Sequence, residues 1–267
     1  MSTPIERVSF AVGIDVDAAI SSVVASLKEH GVAVLDHLVD PVLIELCLSE
    51  IEADYPDFDR VDHERNFGTY KGRHTLPVVV RGSLADPAIF LSHTVGKIAA
   101  KLLGVGCQVD SFGLLVSRIG APDQSSHADA TLFPGTGVDK ILPPYALAVA
   151  MPLVAMDEVS GTTAFWRGSH HRQASGDHDF VPIVQPGSLL VWDFRTHHCG
   201  LANNGNRMRL VLFSVVSRGW WVEEHPRIAT LYRKFRVGRS VHASLSSEAQ
   251  YRIHRAELVE SAQVPTC

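Results

Sequence analysis

Apolar residues recur at helical spacing early in the chain, where Asp17 is followed by Ile20, Val23, Val24 and Leu27, and then by Gly31. This predicts an amphipathic helix with an acidic N-terminal cap and a glycine stop. Residues 32–39 form an apolar run of strand length. Asp40-Pro41 and Asp86-Pro87 each join a capping carboxylate to a proline at the first helical position. They predict a second helix through Leu43, Leu46, Cys47 and Ile51, and a third through Ile89, Val95, Ile98 and Leu102. Residues 55–74 are polar, aromatic and irregular, with Asn66, Tyr70, Lys71 and Arg73, and predict a long functional loop.

From Gln108 onward the pattern changes to short β-rich segments at 108–119, 145–154, 163–166, 180–184, 188–192 and 209–217. Gly and Pro cluster between them, as in Gly135-Thr136-Gly137, Pro143-Pro144 and Pro186-Gly187, which is the punctuation of a sandwich or barrel. The expected fold is therefore mainly β with flanking helices, around a double-stranded β-helix (jelly roll, cupin-like) core. After Trp221 the pattern predicts helices at 226–236 and 248–258. A chain of 267 residues suits one domain. Within 1–267, residues 1–106 are the helix-rich part, 107–221 the jelly-roll core and 222–267 a C-terminal helical segment.

The net charge of −5, with Lys and Arg scattered rather than striped, argues against a nucleic-acid partner. Apolar runs are too short to cross a bilayer, and residues 1–12 carry no secretory or transit pattern, so a cytoplasmic protein without a membrane partner is expected. Cys47, Cys107, Cys199 and Cys267 are isolated and read as reduced thiols.

Candidate chemistry lies in two places. In Gln124-Ser125-Ser126-His127-Ala128-Asp129 a histidine and a carboxylate stand two apart, so on extended backbone they project from one face. A further histidine follows in Arg195-Thr196-His197-His198-Cys199-Gly200. Two imidazoles and one carboxylate make the facial triad of non-haem iron(II) sites, which leaves positions open for a chelating co-substrate and O₂. His-x-Asp alone is common by chance. Arg209 adds weight, since it enters the apolar run Leu210-Val211-Leu212 and an inward guanidinium there needs an anion. A surface salt bridge is the competing reading.

The stretch from Pro186-Gly187-Ser188 through His198, Gly200 and Asn203 to Arg209 resembles the distal motif of the phytanoyl-CoA dioxygenase-like family. Gly161-Thr162-Thr163 through Gly168-Ser169-His170 and the His127-x-Asp129 pair also resemble that family, in order and at fitting spacing. The resemblance implies an Fe(II)- and 2-oxoglutarate-dependent dioxygenase using O₂, with His127, Asp129 and His198 on the metal and Arg209, Gln124 and Thr163 on the co-substrate. It implies Asn203 as support for the loop around His198, and places the family's N-terminal co-substrate contact near Asn66, Tyr70 and Lys71. The family spacing, five residues before the asparagine and eleven before the arginine, selects His198 over His197. His170 and His171 read as part of a structural turn.

The expected substrate is a largely apolar small molecule, such as a secondary metabolite, held between residues 55–74 and the barrel mouth. Tyr70, Lys71, Phe112, Leu114 and Phe133 are its candidate contacts. Hydroxylation, desaturation, rearrangement and endoperoxidation all stay open as outcomes. Two other readings remain: a catalytically weak subunit paired with a homologous oxygenase, and a cupin-like metal-binding protein or isomerase without 2-oxoglutarate. A homodimer or a heterodimer with a homologous subunit is equally open.

Overall fold

The computed structural model describes residues 7–59, 67–221 and 235–260. Its strands are β1 (Arg7–Ser9), β2 (Val32–Asp36), β3 (Phe67–Tyr70), β4 (Arg73–Leu76), β5 (Val79–Val80), β6 (Gln108–Ser117) and β7 (Ala146–Pro152). They continue with β8 (Thr163–Phe165), β9 (Leu189–Asp193), β10 (His198–Gly200), β11 (Arg209–Ser217), β12 (Arg236–Gly238) and β13 (Glu257–Val259). The helices are α1 (Val16–His30), α2 (Pro41–Asp54), α3 (Pro87–Phe90), α4 (His93–Leu103), α5 (Arg239–Ser244) and α6 (Ser247–Arg252).

Eight strands form one sheet in the order β1-β2-β9-β7-β11-β6-β4-β3, antiparallel except for β1 with β2. Side chains alternate between its faces. Ala33, Leu35, Leu114, Val116, Val149, Leu189, Val191, Leu210 and Leu212 pack on one side with α1, α2 and α4 residues such as Ile20, Leu27, Ile44, Ile51 and Ile98. Val32, Val34, Ala148, Ala150, Leu190, Trp192, Val211 and Val215 pack on the other with Phe165 of β8. There the small antiparallel sheet β8–β10 forms the second layer. The jelly-roll core expected from the strand spacing is thus present as a large sheet facing a smaller one.

Several local expectations shift. The α1 cap is Asp15, whose Oδ1 accepts from Asp17 N and Ala18 N at 3.1 Å each, while Asp17 lies in the first turn. Gly31 ends the helix at φ 78°, and its amide donates to Leu27 O. The predicted third helix breaks into α3 and α4, because Ser92 recaps the chain and its hydroxyl accepts from Val95 N. On α2, Leu46 is exposed. Residues 67–76 form the hairpin β3–β4 rather than a loop, with Lys71 and Gly72 in its turn. The segment at 180–184 contributes only isolated bridges, Phe180 to Phe165 and Val184 to Met156.

The C-terminal segment is not purely helical: α5 and α6 are followed by β13, which pairs parallel to β12, itself parallel to β5. Of the helix expected at 226–236, residues 226–234 lie outside the described residues and Arg236 begins β12. Among the described residues no helix is long and apolar enough to cross a membrane. Trp221 is core, stacked on Tyr145 and edge-on to Phe194, whereas Trp220 is exposed.

Two polar contacts join α1 to the β9–β10 turn and so position the site. Gly31 O accepts from Asp193 N at 2.9 Å and from Thr196 Oγ1 at 3.0 Å. Asp193 and Arg195 form a fully buried two-pronged ion pair, Nε to Oδ1 2.8 Å and Nη2 to Oδ2 2.7 Å, and Arg195 also donates to the carbonyls of Asp139 and Leu142. The turn 168–171 packs beside them, with His170 Nε2 donating to Lys28 O at 3.1 Å. The structural-turn reading of His170 and His171 agrees with these contacts.

Burial pushes the His170 imidazole down to about 4. In an unfolded chain it titrates near ~6.5. Neutral His170 therefore contributes stability that is complete above about pH 6.5 and lost as the pH falls toward 4. Thermal melting followed across that window is expected to show a smaller acid loss in His170→Gln than in the parent. Identical pH dependence in the two proteins would refute this account.

Candidate metal centre

The ligand segment is held by β10. His127 N donates to His198 O at 3.0 Å and His198 N to His127 O at 2.8 Å, so the two histidines are a directly paired antiparallel couple. Directly opposed residues present their side chains on one face. The imidazole centroids accordingly lie 4.5 Å apart. Gln124 N donates to Gly200 O, so three residue steps on this segment oppose two on β10, a bulge that re-aims the segment. Asp129 N donates to Phe194 O at 3.0 Å, which turns the carboxylate toward the same space.

One nitrogen of each imidazole is committed to backbone. His127 Nδ1 donates to Ser125 O at 2.9 Å and His198 Nδ1 to Thr196 O at 3.0 Å. Both Nε2 atoms are thereby left as acceptors, which is the form a metal ligand needs. One ligand atom from each of His127, Asp129 and His198 lies within 4.8 Å of the others. Burial lowers the His198 pKa, with the Asp129 carboxylate opposing that shift, so the ring is neutral at neutral pH. The donor set fits a divalent transition metal of borderline softness such as iron(II). His197 faces elsewhere, with its Nδ1 on Ser126 Oγ at 3.3 Å and its amide on Ser169 Oγ at 2.8 Å.

These residues open onto a cavity of about 300 Å³ between the two sheets. At one end lies Arg209, 3 % exposed, whose Nη1 donates to Ser160 O at 3.0 Å and Leu201 O at 3.1 Å. Among the described residues no carboxylate pairs with it. Burial, followed by the nearby Arg73 guanidinium, pushes its pKa down to about 10. Arg209 nevertheless stays a cation at neutral pH, and a buried cation without a carboxylate is costly unless a ligand supplies one. The surface-salt-bridge alternative finds no support.

Gln124 and Thr163 also line the cavity. Gln124 Oε1 accepts from Gly200 N at 2.8 Å, and its Nε2 has no hydrogen bond among the described residues. Asn203 supports a different loop from the one expected. Its Nδ2 donates to Ser117 O and Arg207 O, fixing the turn that leads into β11 and Arg209.

The expected substrate contacts are not gathered here. Phe112 and Leu114 belong to the helix-covered core, and the neighbouring parity supplies the cavity instead, through Leu115 and Phe213. Lys71 and Phe133 are exposed and do not line it, and the Tyr70 side chain lies outside the described residues. Residues 60–66 of the expected substrate loop also lie outside them, whereas Thr75, just beyond that segment, does line the cavity.

No site role was assigned from sequence to two further residues. Arg73 is fully buried, faces Ser117 across β4–β6 as Arg209 does across β11–β6, and donates to the same Leu201 carbonyl at 2.7 Å. Trp192 donates from Nε1 to Asp129 Oδ2 at 2.8 Å. An arginine opening a short strand next to a glycine turn was the available signal for the first.

A jelly-roll sheet pair with a His-Asp-His cluster in its cavity defines the scaffold of the non-haem iron and 2-oxoglutarate-dependent enzymes. The chain belongs to the phytanoyl-CoA dioxygenase family, whose model matches residues 27–211. Its fold is similar to that of the α-ketoglutarate-dependent epimerase SnoN from nogalamycin biosynthesis, also solved with Fe³⁺, α-ketoglutarate and nogalamycin RO. That likeness has a TM-score of 0.57 at 16 % identity, over 76 % of this chain and 84 % of SnoN. AviO1 from Streptomyces viridochromogenes Tue57 matches with TM-score 0.57 and 13 % identity, over 76 % of this chain and 96 % of its own. The carbocyclase SnoK matches with TM-score 0.55 and 16 % identity, over 73 % and 83 %.

Gly161 is the glycine on which Arg209 depends. It has φ +75°, and a Cβ there would strike Arg209 Nη1 and Ala202 O and come within 2.6 Å of Leu201 O. Gly161→Ala is expected to destabilise the fold by about 1–3 kcal/mol through backbone strain and to displace the guanidinium. Urea denaturation checks the first effect and 2-oxoglutarate calorimetry the second; parent-like values in both would show that Gly161 carries no such constraint.

Proposed function

We propose that this protein is an Fe(II)- and 2-oxoglutarate-dependent oxygenase that oxidises a largely apolar small molecule of secondary metabolism. One observation carries the reading: a two-imidazole, one-carboxylate cluster and a buried arginine with no carboxylate partner among the described residues share one cavity.

In this reading His127, Asp129 and His198 hold the metal. Arg209 receives the distal carboxylate of 2-oxoglutarate, where its guanidinium offers two parallel donors. Gln124 and Thr163 lie alongside as further polar contacts, and Arg73 adds positive potential behind Arg209. The chemistry supplied by the bound pair is activation of O₂ coupled to decarboxylation of 2-oxoglutarate to succinate. The chain's own task is to orient substrate and exclude water. Ala148, Ala150, Val211, Phe213 and Val215 give the cavity an apolar floor along β7 and β11, and Phe194 and Trp192 wall the metal end. The resident relatives of this fold in antibiotic pathways favour a secondary metabolite over a simple lipid.

The deciding experiment is anaerobic loading with iron(II), followed by exposure to O₂ with candidate metabolites and measurement of succinate. Substrate-dependent succinate release is expected; release of none, with metal and 2-oxoglutarate both bound, would return the protein to a binding role. His197→Phe is expected to keep iron and most turnover, whereas His198→Phe loses both, as metal analysis of the purified variants will show. The reverse outcome would move the ligand by one residue. Arg209→Ala is expected to weaken 2-oxoglutarate by about 2–5 kcal/mol while leaving metal affinity nearly unchanged. Equal 2-oxoglutarate affinity in variant and parent would remove Arg209 from the site.

A further inference from the structure

The two carboxylate oxygens of Asp129 have different surroundings. Oδ1 faces the ligand cluster, 3.5 Å from His198 Nε2. Oδ2 accepts the 2.8 Å hydrogen bond from the indole of Trp192. Asp129 itself sits in a bend, but Trp192 lies on β9 in the interior of the large sheet, opposite Val32 on one side and Ala148 on the other. Its ring is packed 5.1 Å from His198 and edge-on to Phe165 at 5.6 Å. The donor is therefore fixed by the sheet, while the acceptor is carried by an irregular segment.

A carboxylate free to turn binds a cation through one oxygen or through both. In an octahedral site with three protein ligands, a chelating keto acid and O₂ need every remaining position. A second oxygen from Asp129 would occupy one of them. The indole N–H is donor only, so it engages Oδ2 without competing for the metal.

We infer that Trp192 is a positioning residue that restricts Asp129 to one-oxygen ligation and thereby keeps coordination places open for 2-oxoglutarate. This rests on the metal-site reading above and adds to it a determinant of co-substrate affinity.

Trp192→Phe keeps a ring in place and removes only the donor and the outer part of the indole. The test is calorimetry on the full chain: Co(II) binding to the metal-free protein, then 2-oxoglutarate and pyruvate binding to the Co(II)-loaded protein. Pyruvate lacks the distal carboxylate and is blind to Arg209. Both keto acids are expected to weaken by about tenfold or more, roughly 1.4 kcal/mol, and by similar factors. Co(II) is expected to bind at least as tightly as in the parent. Parent-like keto-acid affinities would overturn the inference, as would a parallel loss of Co(II) affinity and melting temperature, which marks a packing role.

A crystal structure of the Co(II)-loaded parent tests the same point without a variant. Asp129 bound through Oδ1 alone, with Oδ2 on the indole, is expected, and both oxygens on the metal would overturn it. A parent that binds no Co(II) would instead defeat the metal-site reading itself. A parent that binds Co(II) and 2-oxoglutarate, with a variant indistinguishable from it, would defeat only the role of Trp192.

Discussion

Two backbone hydrogen bonds between His127 and His198 are the constraint from which the rest of the site is built. They join an irregular segment to a three-residue strand and place both rings on one face, whatever the side chains do. That strand is in turn fixed from three directions. β8 pairs along its other edge, the Asp193–Arg195 ion pair locks the turn before it, and Ser169 Oγ accepts from the amide of His197. Breaking one partner out of a buried ion pair costs more than the pair contributes, because the remaining charge is left without compensation. His198 thus sits on a short element whose surroundings over-determine its position.

Charge organises the other end of the cavity. Arg73 and Arg209 rise from strands on either side of Ser117 and both donate to Leu201 O, so two guanidinium groups are buried close together. Their mutual repulsion, added to burial, is why Arg209 holds its proton less firmly than a surface arginine. A dianionic ligand relieves both effects at once. The family to which the chain belongs and the chemistry of this cavity therefore point to the same co-substrate from independent directions.

Much of this was legible in the residues. Asp40-Pro41, Gly31 and the limits of β11 follow from local capping and periodicity, and His198 and Arg209, paired by the family resemblance, both line one cavity. The cavity lining was not legible, for a physical reason. β6 and β11 are buried on both faces, so Leu114-Leu115-Val116 and Leu210-Val211-Leu212-Phe213 run apolar without alternation and the parity of Leu114 against Leu115 cannot be read from composition. Arg73 read only as part of a polar loop, because its place beside Arg209 depends on a strand far away in sequence. β12 and β13 escaped because their pairing with β5 is non-local and only three residues or fewer in each strand take part.

The large sheet separates two apolar clusters. Below it, Leu114, Leu212 and Val149 join the helices; above it, Ala150 and Val211 floor the cavity, and the Phe213 ring lies over Gly113, whose missing side chain leaves it room. Changes in volume above the sheet alter the space open to a ligand without opening voids among the helices, and changes that do not share partners combine nearly additively. The scaffold is in this sense a partition wall: alternate residues of β7 and β11 set the space of the cavity, while the other half of those same strands holds the helices in place.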